Sequence, residues 1–288
     1  MAVPLRRTER SLPMPAVRPV FLALLASILL ASGPASAARV LAPHRAVYDL
    51  DLAKANEETG ISGLSGRMVY EFDGSPCDGY TVTFRFVTQF HNGDASQVTD
   101  QQTTTYEDGE GKSFSFATRS FVDQSLEKEV KGKATIEDGN TTVDLEKPEK
   151  SEIQIGKALF PTQHLIELLE RAESGETFYE TTLFDGSEDG DRAMTTTVIV
   201  GKRSHAQAND PERAALDELE SESFWPVNIA YFDPKNEGGE EVPTYQISFK
   251  LYANGVTRDL VMDYGEFTME GRLVDLSLLE TAEDCPRQ

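Results

Sequence analysis

The chain has 288 residues, 39% of them hydrophobic and 26% charged, and a formal net charge of −22. This much apolar material excludes a disordered chain, and this much negative charge excludes nucleic acid as a partner, because phosphate binding calls for clustered Lys and Arg. The length suits one large all-β domain or two small ones behind a leader.

The leader is read first. Arg6, Arg7, Arg10 and Arg18 precede an apolar run at 20–31, and Ala35-Ser36-Ala37 places small residues where a signal peptidase reads. Residues 1–37 are therefore expected to be a cleaved secretion signal, and 38–288 a single exported domain. The apolar run falls short of the ~20 residues that span a bilayer. Ala38 follows the expected cut in place of a lipid-accepting Cys, so no stable membrane anchor is expected.

Strands separated by tight turns follow. Residues 44–53 alternate through Ala46, Tyr48, Leu50 and Leu52, and 64–72 through Met68, Tyr70 and Phe72. Between 80 and 90, Tyr80, Val82, Phe84, Phe86 and Phe90 share one face while Thr81, Thr83, Arg85 and Gln89 share the other, the period of a half-buried strand. Further strands are predicted at 97–106, 114–121, 130–136, 143–145, 177–184, 194–200, 225–231, 245–252, 256–264 and 267–278. Asp73-Gly74, Asn92-Gly93, Asp108-Gly109, Asp138-Gly139 and Asn254-Gly255 supply the positive φ angles that hairpin turns require.

One segment departs from this pattern. Pro161 leads into Leu165, Ile166, Leu168, Leu169 and Ala172 at helical spacing, with Gly175 just past the end, so 162–174 is predicted to be an amphipathic helix. A weaker helix, 210–219, has an Asp cap and a Pro at its first position but a narrow apolar stripe, and is expected to ride on the surface. A long meander with one greasy face must bury it against a second sheet or by curling around a plug. The expected fold is therefore all-β with one or two helices: a strongly curved antiparallel meander, spiral or open barrel, with helix 162–174 on its concave side. A cavity beside that helix would be lined by Phe84, Phe86, Leu165, Leu168, Leu169, Trp225, Tyr245 and Phe249.

Catalytic patterns are sparse. His44, His91, His164 and His205 show no metal-ligand spacing, neither Cys lies in a Cys-x-x-Cys arrangement, and there is no nucleophile elbow, phosphate loop or dinucleotide fingerprint. Neither a catalytic residue nor a cofactor is assigned. Asp185-Gly-Ser187-Glu-Asp189-Gly190-Asp191 begins like a calcium loop, but the twelfth position is Thr196 in place of Glu, so an acidic hairpin loop is expected and no metal.

The leader, His44-Arg-Ala-Val-Tyr-Asp-Leu50, the Cys77-Asp-Gly-Tyr80 turn, the Phe160-Pro-Thr-Gln-His164 helix entry, Phe224-Trp-Pro226 and the terminal Cys285 together resemble the periplasmic cell-envelope integrity proteins of the EipB family. The resemblance spans the mature chain. It implies a β-spiral of consecutive antiparallel strands, a role in envelope homeostasis without known catalysis, and a fold similar to lipoprotein carriers, which enclose acyl chains. The expected partners are envelope proteins or a lipid-like ligand bound by a monomer. The competing class is a secreted hydrolase using carboxylates in a cleft; a carrier needs a sustained apolar concavity, an enzyme convergent polar groups.

An exported chain with an even number of cysteines and no redox motif is expected to pair Cys77 with Cys285, as the resemblance also implies. Closing so long a loop stabilises by about 5 kcal/mol at most in the chain-entropy model. Thiol labelling of the unreduced, denatured protein should find no reactive thiol; two labelled cysteines per chain would contradict the pairing.

Overall fold

The structure is a computed structural model that describes residues 41–235 and 242–280. The expected leader and Cys285 lie outside these residues, as does the expected loop at 236–241.

In chain order the elements are β1 (His44–Ala55), β2 (Gly63–Ser75), β3 (Gly79–Asn92), β4 (Ala95–Glu107), β5 (Ser113–Val122), β6 (Ser125–Glu137), β7 (Asn140–Lys147) and β8 (Ser151–Ile155), then α1 (Pro161–Ser174). After it come β9 (Phe178–Leu183), β10 (Met194–Val200), β11 (Ser204–His205), α2 (Arg213–Leu216), β12 (Ser223–Phe232), β13 (Tyr245–Tyr252), β14 (Thr257–Asp263) and β15 (Phe267–Leu278).

All 15 strands of the described residues belong to one antiparallel sheet. From β8 back to β1 each strand lies beside its sequence neighbour, as short hairpin turns dictate. β15 then takes the free side of β1, followed by β14, β13, β12, β10 and β9, with β11 beside β12. β1 is thus the seam, paired with β2 from His44↔Phe72 to Asp51↔Ser65 and with β15 from His44↔Leu278 to Ala55↔Phe267.

The sheet is open, and strongly curled. Phe90 of β3 meets Phe267 of β15 edge-on at 5.5 Å, although β1 and β2 lie between them and three strand spacings measure about 14 Å in a flat sheet. Bulges between Val47 and Tyr48, Leu52 and Lys54, and Ser248 and Lys250 supply part of the bend. Near the two ends of the sheet, Leu159 after β8 forms a parallel bridge with Leu183 of β9.

The inward rows of β1, β2, β3 and β10–β15 form the main core with Leu168, Leu169 and Ala172 of α1. A second core gathers Phe114, Phe116, Val130, Ala134, Val143 and Leu145 of β5–β7 around Phe160 and Phe184. α1 lies on the concave side, as its periodicity predicts. Leu168 and Leu169 are buried, each stabilising the helix on the sheet by roughly 1.5–3 kcal/mol, while Leu165 and Ile166 are half-buried. Gly175 ends the helix in the left-handed region at φ 83°.

Some sequence expectations are displaced. The Asp73-Gly74 turn is in fact strand: β2 continues to Ser75 and the chain reverses at 76–78. Gly74 is needed for close approach, since a Cβ there would stand 2.1 Å from the carbonyl oxygen of Gly79. The short strand β8 had no apolar alternation long enough to announce it. The weak helix is only the turn α2 followed by a 3-10 turn, Asp217–Ser221, and it does not ride on the surface: Leu216 and Leu219 are buried in the main core. The narrow stripe was real; its burial is secured by the ion network described below.

Candidate functional site

The register of β3 against β4 determines the chemistry of the concave wall. Tyr80, Val82, Phe84, Phe86, Thr88 and Phe90 lie opposite Glu107, Thr105, Thr103, Gln101, Thr99 and Gln97, so β4 presents no apolar side chain to the inside. β5 continues with Thr118 and Ser120 opposite Thr103 and Gln101 before turning apolar at Phe116 and Phe114. Neither core can extend across this stripe, and a recess of about 480 Å³ lies between them. Tyr70, Val82 and Phe84 line its apolar side, and Thr103, Thr105, Thr118 and Ser120 its polar side, with the acidic loop at its rim.

An aromatic row runs along another part of the same face. Tyr231, Tyr245, Tyr264 and Phe267 follow one another at ring distances of 5.4, 4.9 and 5.0 Å, and Phe267 leads on to Phe90. Burial pushes the phenols of Tyr70, Tyr231 and Tyr245 up, so each stays protonated as a donor. Asp185 adds to this shift at Tyr231 and Glu107 at Tyr70.

The cavity residues expected from sequence separate into two groups. Phe84 lines the recess, Phe86 stacks on it at 5.8 Å, and Leu165 and Tyr245 are half-buried on the concave face. Leu168, Leu169, Trp225 and Phe249 are packed in the main core, with Arg203 lying 4.3 Å above the indole of Trp225.

Sequence reasoning missed the groups that hold this face in shape. Phe160 caps α1 without a side-chain oxygen, and the first backbone donors of the helix are satisfied from a distant strand: Glu107 accepts the N–H groups of Thr162 at 2.7 Å and Gln163 at 3.0 Å. A helix entry lacking a cap oxygen was the available signal, though it could not name the acceptor. Burial dominates the titration of Glu107 and pushes its carboxyl up to about 7, against the two backbone donors that favour its charge. His164, one turn in, is buried with Nε2 3.4 Å from the Thr196 hydroxyl, and burial pulls its pKa down.

On β14, Arg258 is fully buried. Its guanidinium donates to Glu212 at 2.8 Å and to the Tyr252 hydroxyl at 2.9 Å, and pairs with Asp210 at 2.9 Å. Glu212 also accepts the backbone N–H groups of Asp259 and Leu273. Burial opposes the charge of Arg258, but its acidic partners outweigh it and hold the group above its ordinary pKa. Asp210-Pro211-Glu212 reads locally as a helix start; its real task is to pin the 206–221 segment over β14 and β15.

The acidic loop uses its carboxylates internally. Asp189 pairs with Lys128 at 2.9 Å, Asp191 with Arg192 and Lys235, and Asp185 accepts the N–H of Ser187. Gly186, at φ +69°, lets the loop lie against the second core, where a Cβ would come 2.5 Å from the Phe116 ring. Among the described residues no helix is long and apolar enough to cross a membrane.

The EipB-like family model matches residues 35–280. The cell envelope integrity protein EipB of Brucella abortus (strain 2308) is 52% identical over 255 residues, covering 88% of this chain and 90% of its own. The crystal structure of a beta-barrel-like protein from Brucella abortus aligns with a TM-score of 0.82 at 52% identity, covering 84% of this chain and 100% of the solved one.

The carboxyl of Glu107 gives a pH test. Because its pKa rises from 4.5 to about 7 on folding, the folded state holds this proton more tightly than the unfolded one, and the associated stability is complete below the lower value and lost as pH rises through the higher. Urea midpoints of the wild type should therefore fall relative to Glu107→Gln between about pH 5 and about pH 8. Parallel profiles would show that Glu107 is ionised throughout.

Proposed function

Since the chain belongs to the EipB-like family, we propose that it maintains the cell envelope from the periplasm, without catalysis, by holding a lipid-like ligand against the concave face of its sheet. The observation that carries this reading is the state of the inward aromatics. Phe84, Phe86, Phe90, Tyr245 and Phe267 pack on the main core yet remain partly accessible, which is how a concavity that receives an apolar guest differs from a filled core. α1 covers part of that face, and the aromatic row beyond it stays partly accessible.

The hydrolase alternative would need carboxylates converging on an open cleft. The most deeply buried carboxylates instead hold structure: Glu107 on the helix entry, and Asp210 and Glu212 on Arg258. A resemblance to carriers in fold does not by itself fix a ligand, so binding is the test.

A fluorescent long-chain fatty acid should bind the wild type saturably below its micellar concentration. Phe86→Gln removes apolar area at a half-buried site on the concave face, and is expected to weaken uptake by about tenfold or more while circular dichroism stays unchanged. Absence of uptake by the wild type, or equal uptake by the folded variant, would contradict the proposal.

A further inference from the structure

The recess between the two cores differs chemically from the aromatic row. An acyl chain gains nothing from Gln101, Thr103, Thr105, Thr118 and Ser120, whose polar groups it would strip of water. Thr103 and Thr118 bond each other at 3.0 Å, and hydroxyls joined in this way still offer acceptor and donor capacity to a guest. On the opposite side Tyr70 and Phe84 present ring surface. Aromatic surface facing a row of neutral hydroxyls and one amide suits a ring that is apolar on its faces and hydroxylated at its edges.

The charge at the rim narrows the ligand further. Asp185 and Glu188 line the recess, and the cation there, Lys128, is paired with Asp189 at 2.9 Å. A phosphate would meet two carboxylates and a lysine already engaged, whereas a neutral polyol would meet acceptors. Resting on the reading of the concave face as a ligand site, we propose that the recess holds the uncharged, polyhydroxylated headgroup of an amphiphile whose chain follows the aromatic row, so that the protein selects a neutral glycolipid over a phospholipid.

Dodecyl maltoside below its micellar concentration is the probe, titrated calorimetrically beside dodecyl phosphate, dodecanoate and maltose. The maltoside should bind at least about tenfold more tightly than dodecyl phosphate, the worth of one or two neutral hydrogen bonds. The double variant Thr103→Val, Thr118→Val keeps shape and strand preference and should shrink that difference by weakening the maltoside. Asp185→Asn should tighten the anions dodecyl phosphate and dodecanoate and leave the maltoside unchanged. Equal affinity for both dodecyl headgroups in the wild type, or a selectivity unchanged in the double variant, would overturn the headgroup assignment while leaving an apolar concavity in place. Maltose binding as tightly as the maltoside would overturn the amphiphile in favour of a free saccharide. If dodecanoate and every other dodecyl probe fail to bind, the concave face is not a ligand site and the reading beneath this one falls with it.

Discussion

A sheet with one apolar face and 15 strands cannot stay flat in water; it has to bring that face onto itself. In this protein the constraint is met by curling, with β1 as the seam where the first and last strands of the described chain meet. One helix enters the concavity, seated by its apolar stripe and met at its entry by a buried carboxylate. Glu107 ends the polar strand β4 and satisfies the first donors of α1, so the same strand that interrupts the apolar wall also anchors the element that fills part of it.

The strands beyond the seam are held by a different device. A buried arginine is tolerated only when its charge is met, and Arg258 is met by the carboxylates of Asp210 and Glu212, with the Tyr252 hydroxyl accepting a further hydrogen bond. Glu212 then reaches the backbones of β14 and β15. This network converts a short, weakly helical insertion into a lid for the main core. Together the two buried acid sites explain why so acidic a chain leaves its deepest carboxylates out of any open cleft.

The architecture was largely legible in the sequence because its signals are local. Alternation identified most of the strands, Asn-Gly and Asp-Gly pairs many of their turns, and the spacing of Leu165, Leu168, Leu169 and Ala172 the helix. What was not legible depends on contacts distant in sequence. Nothing near Glu107 shows that it will cap a helix 55 residues later, and nothing near Arg258 points to Asp210 and Glu212. The turn at Asp73-Gly74 was misplaced because a glycine needed for close backbone approach looks the same as one needed for a turn. Among the aromatics, Phe84 and Tyr245 share a concave face with the buried Phe249, and periodicity alone cannot separate residues that line a recess from those that pack beneath it. The Thr-rich strand 97–106 was read as a strand, but its meaning as a polar stripe in a concave wall required the register with β3.

For the proposed residence of an envelope amphiphile on the concave face, family membership supplies the setting and the partly accessible aromatics the physical reason. Native mass spectrometry of the protein released from its own envelope without detergent, followed by organic extraction, addresses this most directly. The account predicts a population carrying a discrete, extractable mass of an amphiphile with an uncharged headgroup, diminished in the Phe86→Gln protein. A bare polypeptide mass from wild-type protein prepared this way would contradict it.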